Sequence, residues 1–299
     1  MRSSGRSLKG AAFATGLAVA GAFPSAQRNE PALQDLLAGA AAYVQRFSQG
    51  FATLLGDETY EQRVVSAPAS RERERQRLLL SEVLFVWLTE EQSWLSARVV
   101  KIADGKPVPD SDTRLERLMA DTSAGWGARV RRLRDEGARF NIGRMERNFS
   151  DPTMVLQFLD ADIQRRFQFT LEGRDRVQET AAWRVSFKEQ SRPTLIQSRG
   201  RDVPATGEVW LAENDQAVVQ TRVALTDNQF NLRVGAVIRA SFRHEPRFGI
   251  WVPAEMRERY EQRGRGVYQA QFVSFDDVIE CVATYSNFRR FETVARIVN

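Results

Sequence analysis

From Gln164 onward the chain alternates polar and apolar residues in one segment after another, and this pattern limits the fold more than any other feature. Phe167, Phe169 and Leu171 alternate with Gln168 and Thr170. Trp183, Val185 and Phe187 alternate with Arg184, Ser186 and Lys188. Val219, Thr221, Val223 and Leu225 alternate with Gln220, Arg222 and Ala224. The same period continues through 230–234, 236–243 and 268–272. A period of two sends successive side chains to opposite faces, so each segment reads as a half-buried strand. Turn residues stand between the segments at Asn214-Asp215, Thr226-Asp227-Asn228, Glu245-Pro246-Arg247-Phe248-Gly249 and Gln262-Arg263-Gly264. Strands at this spacing predict a large antiparallel sheet with one apolar face.

That face needs a cover, and the earlier half of the chain supplies helices. Leu33, Leu36, Leu37, Ala40, Val44, Phe47, Phe51, Leu54 and Leu55 recur at three- and four-residue steps, which predicts a helix over 31–55. Pro31 suits its first turn. Leu115, Leu118 and Met119 belong to a second helix, and Trp126, Val130, Leu133 and Ala138 to a third. Asp151-Pro152 opens a short one through Met154, Val155, Phe158 and Leu159. Between these lie Thr59–Val65, a weak strand, and Leu78–Leu88, a long apolar run. That run is too short for a bilayer, which takes roughly 20 residues, and reads as a strand covered on both faces. Trp94–Ile102 is its antiparallel neighbour, closed by a tight Asp104-Gly105 turn. The predicted fold class is α+β: a large curved antiparallel sheet, a half-barrel, with helices packed on one face. No repeat or linker divides it. Residues 27–299 read as one domain with a helical insertion at about 111–159.

The first 26 residues read differently. Arg2, Arg6 and Lys9 precede an uncharged run from Gly10 to Phe23, followed by small residues at Ala20-Gly21-Ala22 and Pro24-Ser25-Ala26. This is the layout of a secretory signal peptide, so the expected location is periplasmic or secreted. These residues carry three basic side chains and no acid, which leaves 40 basic against 38 acidic residues in the remainder. A nearly balanced chain with Arg and Glu interspersed, as in Arg71-Glu72-Arg73-Glu74-Arg75, is not a nucleic-acid binder by charge. No cysteine stands near the cleavage region to carry a lipid anchor, so no stable membrane anchor is expected after cleavage.

The residues also exclude chemistry. Cys281 is the only cysteine and His244 the only histidine. Cys281 lies in a strand-like run and reads as a buried inert thiol. A Ser-His-Asp or Cys-His site would have to use His244, which stands at a strand end. Two such residues cannot build a structural zinc site, and no metal or cofactor is expected. No glycine-rich phosphate loop and no calcium loop occurs. Glu255, Glu258 and Glu261 lie close in sequence. As a strand, Glu255, Arg257 and Arg259 share one face, while Glu258 shares the other with Met256 and Tyr260. Cross-strand ion pairing is the simpler reading, and carboxylate-dependent hydrolysis the less favoured one.

The order of elements resembles the LolA/LolB-like superfamily of periplasmic lipoprotein carriers and their relatives. The resemblance is carried by an export signal, a long first helix, paired long strands, helical insertions and a final antiparallel run through Trp251-Val252-Pro253 and Tyr285-Ser286-Asn287-Phe288. The segment Gly249-Ile250-Trp251-Val252-Pro253-Ala254-Glu255-Met256 is most similar to uncharacterised secreted bacterial members. The resemblance implies a half-barrel wrapped over helices and a role as a carrier. No lipid-contacting residue maps by motif. The expected function is a non-catalytic binding protein that holds a lipid or other apolar ligand between sheet and helices. The alternative is an envelope interaction or sensor module. Lining candidates, chosen by face and size, are Phe85, Trp87, Phe230, Phe242, Tyr268 and Phe272. Expected partners are a lipid or lipoprotein, or an envelope protein.

Overall fold

The structure is a computed structural model and describes residues 30–51, 54–66, 75–88, 93–120, 125–145, 147, 151–229 and 231–290. The expected export signal lies outside them. Helix α1 (Leu33–Phe51) leads into β1 (Leu54–Ser66), β2 (Arg75–Leu88), β3 (Ser93–Ala103) and the short β4 (Lys106–Pro107). Four helices follow: α2 (Ser111–Ala120), α3 (Trp126–Ala138), α4 (Met154–Phe158) and α5 (Ala161–Gln164). The rest is strand: β5 (Phe167–Val177), β6 (Thr180–Glu189), the small pair β7 (Gln197–Ser198) and β8 (Arg201–Asp202), β9 (Ala205–Ala212), β10 (Val218–Gln229), β11 (Leu232–Glu245), β12 (Ile250–Tyr268) and β13 (Gln271–Arg290).

Eleven strands form one antiparallel sheet in the order β4-β3-β2-β1-β13-β12-β11-β10-β9-β6-β5. The last strand pairs with the first, from Leu54↔Arg290 to Ser66↔Asp277. The remaining neighbours are consecutive in sequence except β6 and β9, which pair across the separate β7–β8 ribbon, and the edges at β4 and β5 do not close on one another. This is the α+β curved-sheet class that the alternating pattern predicts.

Period-two alternation decides what each face carries. On one face β1 places Tyr60 and Val64, β2 places Leu79, Val83 and Phe85, and β13 places Ile279, Ala283 and Tyr285. Helix α1 buries Leu36, Ala40, Tyr43, Val44, Phe47 and Phe51 against this side. Its two phenylalanines stack at 4.5 Å. Phe51 also lies 4.8 Å from Phe85 and 6.1 Å from Phe288. Aromatic contacts of this geometry add about 0.5–1.5 kcal/mol each beyond area burial.

Among the described residues the opposite face is covered at β1–β3. There Leu55, Leu84, Val86, Leu95, Ala97 and Val99 meet Leu115 and Leu118 of α2 and Val130 and Leu133 of α3. The apolar run is covered on both sides only from Val83 to Val86, while Leu78 and Leu80 are exposed, so the both-faces reading of Leu78–Leu88 holds for part of the strand. Its apolar residues occupy both parities, Val83 and Phe85 on one side and Leu84 and Val86 on the other. Helices α2 and α3 consequently lie opposite α1, a second layer that the single-face expectation lacked.

Three boundaries differ from the sequence expectation. Leu54 and Leu55 belong to β1 rather than to the first helix, because they serve opposite faces of the sheet. Gln262-Arg263-Gly264 is not a turn but strand interior, paired across to Gly264↔Phe275. Gly264 is required there: its φ is 125°, and a Cβ would come within 2.1 Å of the Asn231 carbonyl oxygen. The turn falls instead at Gln269 (φ 48°) and Ala270 (φ 63°). A two-residue hairpin of this hand wants positive φ at both positions, normally from Asn-Gly, and Gln-Ala gives no such signal. Residues 268–272 are thus two strand ends joined by a turn. Thr226-Asp227-Asn228 likewise continues β10, and Asp227 is buried against Arg201 at 2.7 Å.

Candidate functional site

The α1 face is not wholly apolar. Glu58 and Gln62 share a face with Tyr60 and Val64 of β1, since all lie two residues apart. Arg98 comes from β3, Glu258 from β12, and Arg147 from the segment between α3 and α4. Arg98 donates to both oxygens of Glu58, with its Nη2 at 2.7 Å from Oε1, and stands 4.1 Å above the Tyr60 ring. Tyr60 donates its hydroxyl to Glu258 at 2.7 Å, and Tyr260 donates to the same carboxylate. Arg147 donates from Nη1 to Cys281 Sγ at 2.7 Å and from Nη2 to Gln62 Oε1 at 2.7 Å and the Ile142 carbonyl at 2.9 Å.

Two arginines and two glutamates thus balance inside the sheet-and-helix interior. A buried charge costs several kcal/mol unless paired and hydrogen-bonded, and this network supplies both. Burial works against the Arg98 charge, but Glu58 outweighs it and holds the guanidinium above its ordinary range. Burial and then the Glu258 charge push Tyr60 and Tyr260 well above the usual phenol value. Burial pushes the Cys281 thiol up to about 11.

Beside this network lies a cavity of about 240 Å³, walled by Glu58, Arg98, Arg147, Asp151, Trp94 and Tyr285, with Val83 and Met154 as apolar neighbours. One wall depends on Gly137 of α3. A Cβ there would lie 2.6 Å from the Arg98 carbonyl oxygen, so only glycine lets the helix come this close to β3. Three buried polar atoms around the cavity have no hydrogen-bond partner among the described residues: the donors Trp94 Nε1 and Arg147 Nε, and the acceptor Asn141 Oδ1. Asp151 is committed to structure. Its Oδ1 accepts from Thr153 N at 2.7 Å and Thr153 Oγ1 at 2.6 Å, and its Oδ2 from Ser96 N at 3.1 Å. Burial nevertheless raises its carboxyl above the ordinary value.

Four of the six lining candidates have described side chains, and these four do not line one cavity. Phe85 is fully buried, 4.8 Å from Phe51 and 6.2 Å from Tyr285. Phe242 is buried in the same core. Trp87 is half-buried and faces Trp94 across the strands at 5.5 Å. Phe272 is 90% exposed at a hairpin. Phe230 and the side chain of Tyr268 lie outside the described residues. The buried polar cluster was not singled out from the sequence. Its one visible signal was parity: Glu258 shares a face with Met256 and Tyr260, so a carboxylate falls on the apolar side.

The other chemistry-bearing residues are settled by their contacts. Glu255 pairs with Arg257 at 2.6 Å, and Arg259 pairs with Glu261 at 3.1 Å and with Glu280, all on the face opposite α1. His244 is exposed at the end of β11, 5.9 Å from Trp251. Among the described residues no group of three or more His, Cys, Asp or Glu is placed to hold a metal ion. Among them, too, no helix is long and apolar enough to cross a membrane.

No protein-family model and no curated protein matches the sequence. Solved structures are similar in fold. A LolA superfamily protein from Nitrosomonas europaea aligns over 89% of this chain and 96% of its own, at 7% identity and a TM-score of 0.31. An outer membrane lipoprotein-sorting protein domain from Vibrio parahaemolyticus aligns over 86% and 92%, at 8% identity and a TM-score of 0.32. Lipovitellin, in a structure describing its lipid–protein interactions, aligns over 83% of this chain and 26% of its own, at 11% identity and a TM-score of 0.29.

Proposed function

We propose that this chain is a non-catalytic periplasmic binding protein that takes an amphiphilic ligand of the lipid class between the sheet and its helices. The observation that carries the reading is the cavity of about 240 Å³ with two kinds of wall. Val83, Trp94 and Met154 offer apolar contact. Trp94 Nε1 and Arg147 Nε are donors with no partner among the described residues, suited to an acceptor-bearing headgroup. Binding sites of this kind combine apolar walls with a few placed polar groups. The cavity holds a headgroup and the first carbons of a tail. The adjoining α1 interface is filled by Phe47, Phe51, Phe85 and Phe288, so a longer tail has to part α1 from the strands.

A catalytic reading is less well supported. Glu58 is engaged by Arg98, Glu258 by two tyrosines, and both oxygens of Asp151 by backbone and hydroxyl donors. All three carboxylates thus already serve the buried network. The test is native mass spectrometry of protein purified from its own periplasm, followed by organic extraction. A co-purifying amphiphile that is lost in Trp94→Ala is the expected result. Ligand-free protein, or equal occupancy in the variant, overturns the reading.

A further inference from the structure

The longest hairpin of the sheet ends in a feature that the cavity does not explain. Strand β11 pairs with β12 no further than Leu232↔Gly264, and β1 pairs with β13 no further than Ser66↔Asp277. Residues 265–276 therefore continue past the last ladder pairs of both neighbours as a two-stranded ribbon, tied at its base by the bond from Arg265 N to the Asn231 carbonyl oxygen at 2.6 Å and by the buried Phe275. Near its tip Val267 and Phe272 face each other directly and are 60% and 90% exposed. A solvent-facing phenylalanine is ordinary when alone, but here it forms a cross-strand apolar pair on a ribbon that is itself marginal in water.

Behind the tip Arg263 is paired with Asp276 at 3.8 Å and with Glu261 at 3.6 Å, which leaves Arg265 and Arg233 as the cations toward the tip. The register runs Arg263↔Asp276, Arg265↔Ser274, Val267↔Phe272 without a shift, so Arg263, Arg265, Val267 and Phe272 share one face. Between residues 262 and 275 the chain has no acid. Arg233 of β11 stands directly opposite Arg263. Like charges in that relation destabilise a sheet. Arg233 and Arg265 are exposed and make no ion pair among the described residues. Arg265 lies one two-residue step, roughly 6.8 Å, behind Val267. An interfacial element buries its apolar part about 5–10 Å deep, with basic groups at the headgroup level, and this spacing matches that arrangement.

From these observations we propose that the β12–β13 ribbon is a docking element for an anionic bilayer surface. Phe272 and Val267 enter the headgroup–acyl boundary, and Arg265 and Arg233 meet lipid phosphates. The charge complementarity favours an anionic bilayer over a second copy of the chain, which would bring the same arginines together. The inference stands on the ribbon alone and is independent of what the cavity binds.

Flotation of the full chain tests it, with vesicles of phosphatidylcholine alone and of phosphatidylcholine with one-third phosphatidylglycerol. All variants retain residues 1–29, so that segment contributes equally. The wild type is expected to float with the anionic vesicles, less so as salt rises. Phe272→Asp is expected to lower the partition at least about tenfold, while Phe272→Trp retains it. Arg233→Gln/Arg265→Gln should weaken binding to the anionic vesicles only. The proposal is overturned if wild type does not float, or if Phe272→Asp floats as wild type does. It is equally overturned if Phe272 drives self-association in solution with no flotation.

Discussion

Tyr60 on β1 donates its hydroxyl to Glu258 on β12 at 2.7 Å, across 198 positions of sequence. Neither strand is the other's neighbour, since β13 lies between them. The bond therefore spans the middle of the sheet on its α1 side, and Tyr260 closes it from β12 itself. Tyr60→Phe removes one charge-assisted bond and is expected to cost about 1.5–3 kcal/mol. Glu258→Ala also leaves Arg147 without a buried counter-charge and is expected to cost about 3–5 kcal/mol. Urea unfolding of the two variants checks the order. Equal losses would show that the carboxylate serves Tyr60 alone.

Gly137 reverses an ordinary rule. Glycine to alanine inside a helix normally stabilises by up to about 1 kcal/mol. At Gly137 the added Cβ would lie 2.6 Å from the Arg98 carbonyl oxygen, a backbone atom that cannot rotate away. Gly137→Ala is expected to destabilise by about 1–3 kcal/mol and to open the cavity wall. Thermal unfolding checks the sign, and a stabilised variant would refute the close approach.

Two carboxylates give pH dependence of opposite sign. Hydrogen bonds from Arg247 outweigh burial and, with the Arg247 charge, hold Glu245 down from 4.5 to about 2. A depressed group contributes stability that is present above its unfolded value and lost as pH falls through the folded one. Glu245→Gln should therefore lose most near neutral pH and converge with the parent toward pH 2.

Asp151 runs the other way. Burial raises it above its ordinary 3.8. A raised group contributes stability that is complete below the unfolded value and lost as pH rises through the folded one. Asp151→Asn should therefore compare worst with the parent below pH 3.8 and progressively better above it. Melting midpoints from pH 2 to 8 read both trends, and parallel curves for the two variants would contradict the assignments.

Cys281 is 2% exposed, and its thiol is pushed up to about 11, first by burial and then by the Glu258 charge. The reactive species is the thiolate, so native protein at pH 8 is expected to resist iodoacetamide and to label fully in denaturant. Rapid native labelling would place the thiol outside the core.

How much of this was legible follows one line of physics. Alternation of period two is local, so the strands that carry Trp183–Phe187, Val219–Leu225 and Ala236–Phe242 were readable from sequence, as was the first helix. The two-sided run Leu78–Leu88 announced that both faces needed covering, which holds from Val83 to Val86. The buried Cys281 followed from composition, but among the described residues only Arg259–Glu280 of the expected cross-strand ion pairs crosses strands, Glu255 pairs within β12, and Glu258 is buried. The hairpin at Gln269-Ala270 was not readable, because its positive φ values come from the register of two long strands and not from turn residues.

The buried cluster shows the limit most clearly. Parity alone put Glu258 on the apolar face, and the sequence determined that much. Tyr260, two residues on, donates to it locally, but the rest of the cluster is not local. Tyr60, Arg98 and Arg147 come from three distant segments, and only the strand order β3-β2-β1-β13-β12 brings them within hydrogen-bond reach. A strand's faces are written in neighbouring residues, whereas the partner of a buried charge is chosen by which strands lie side by side.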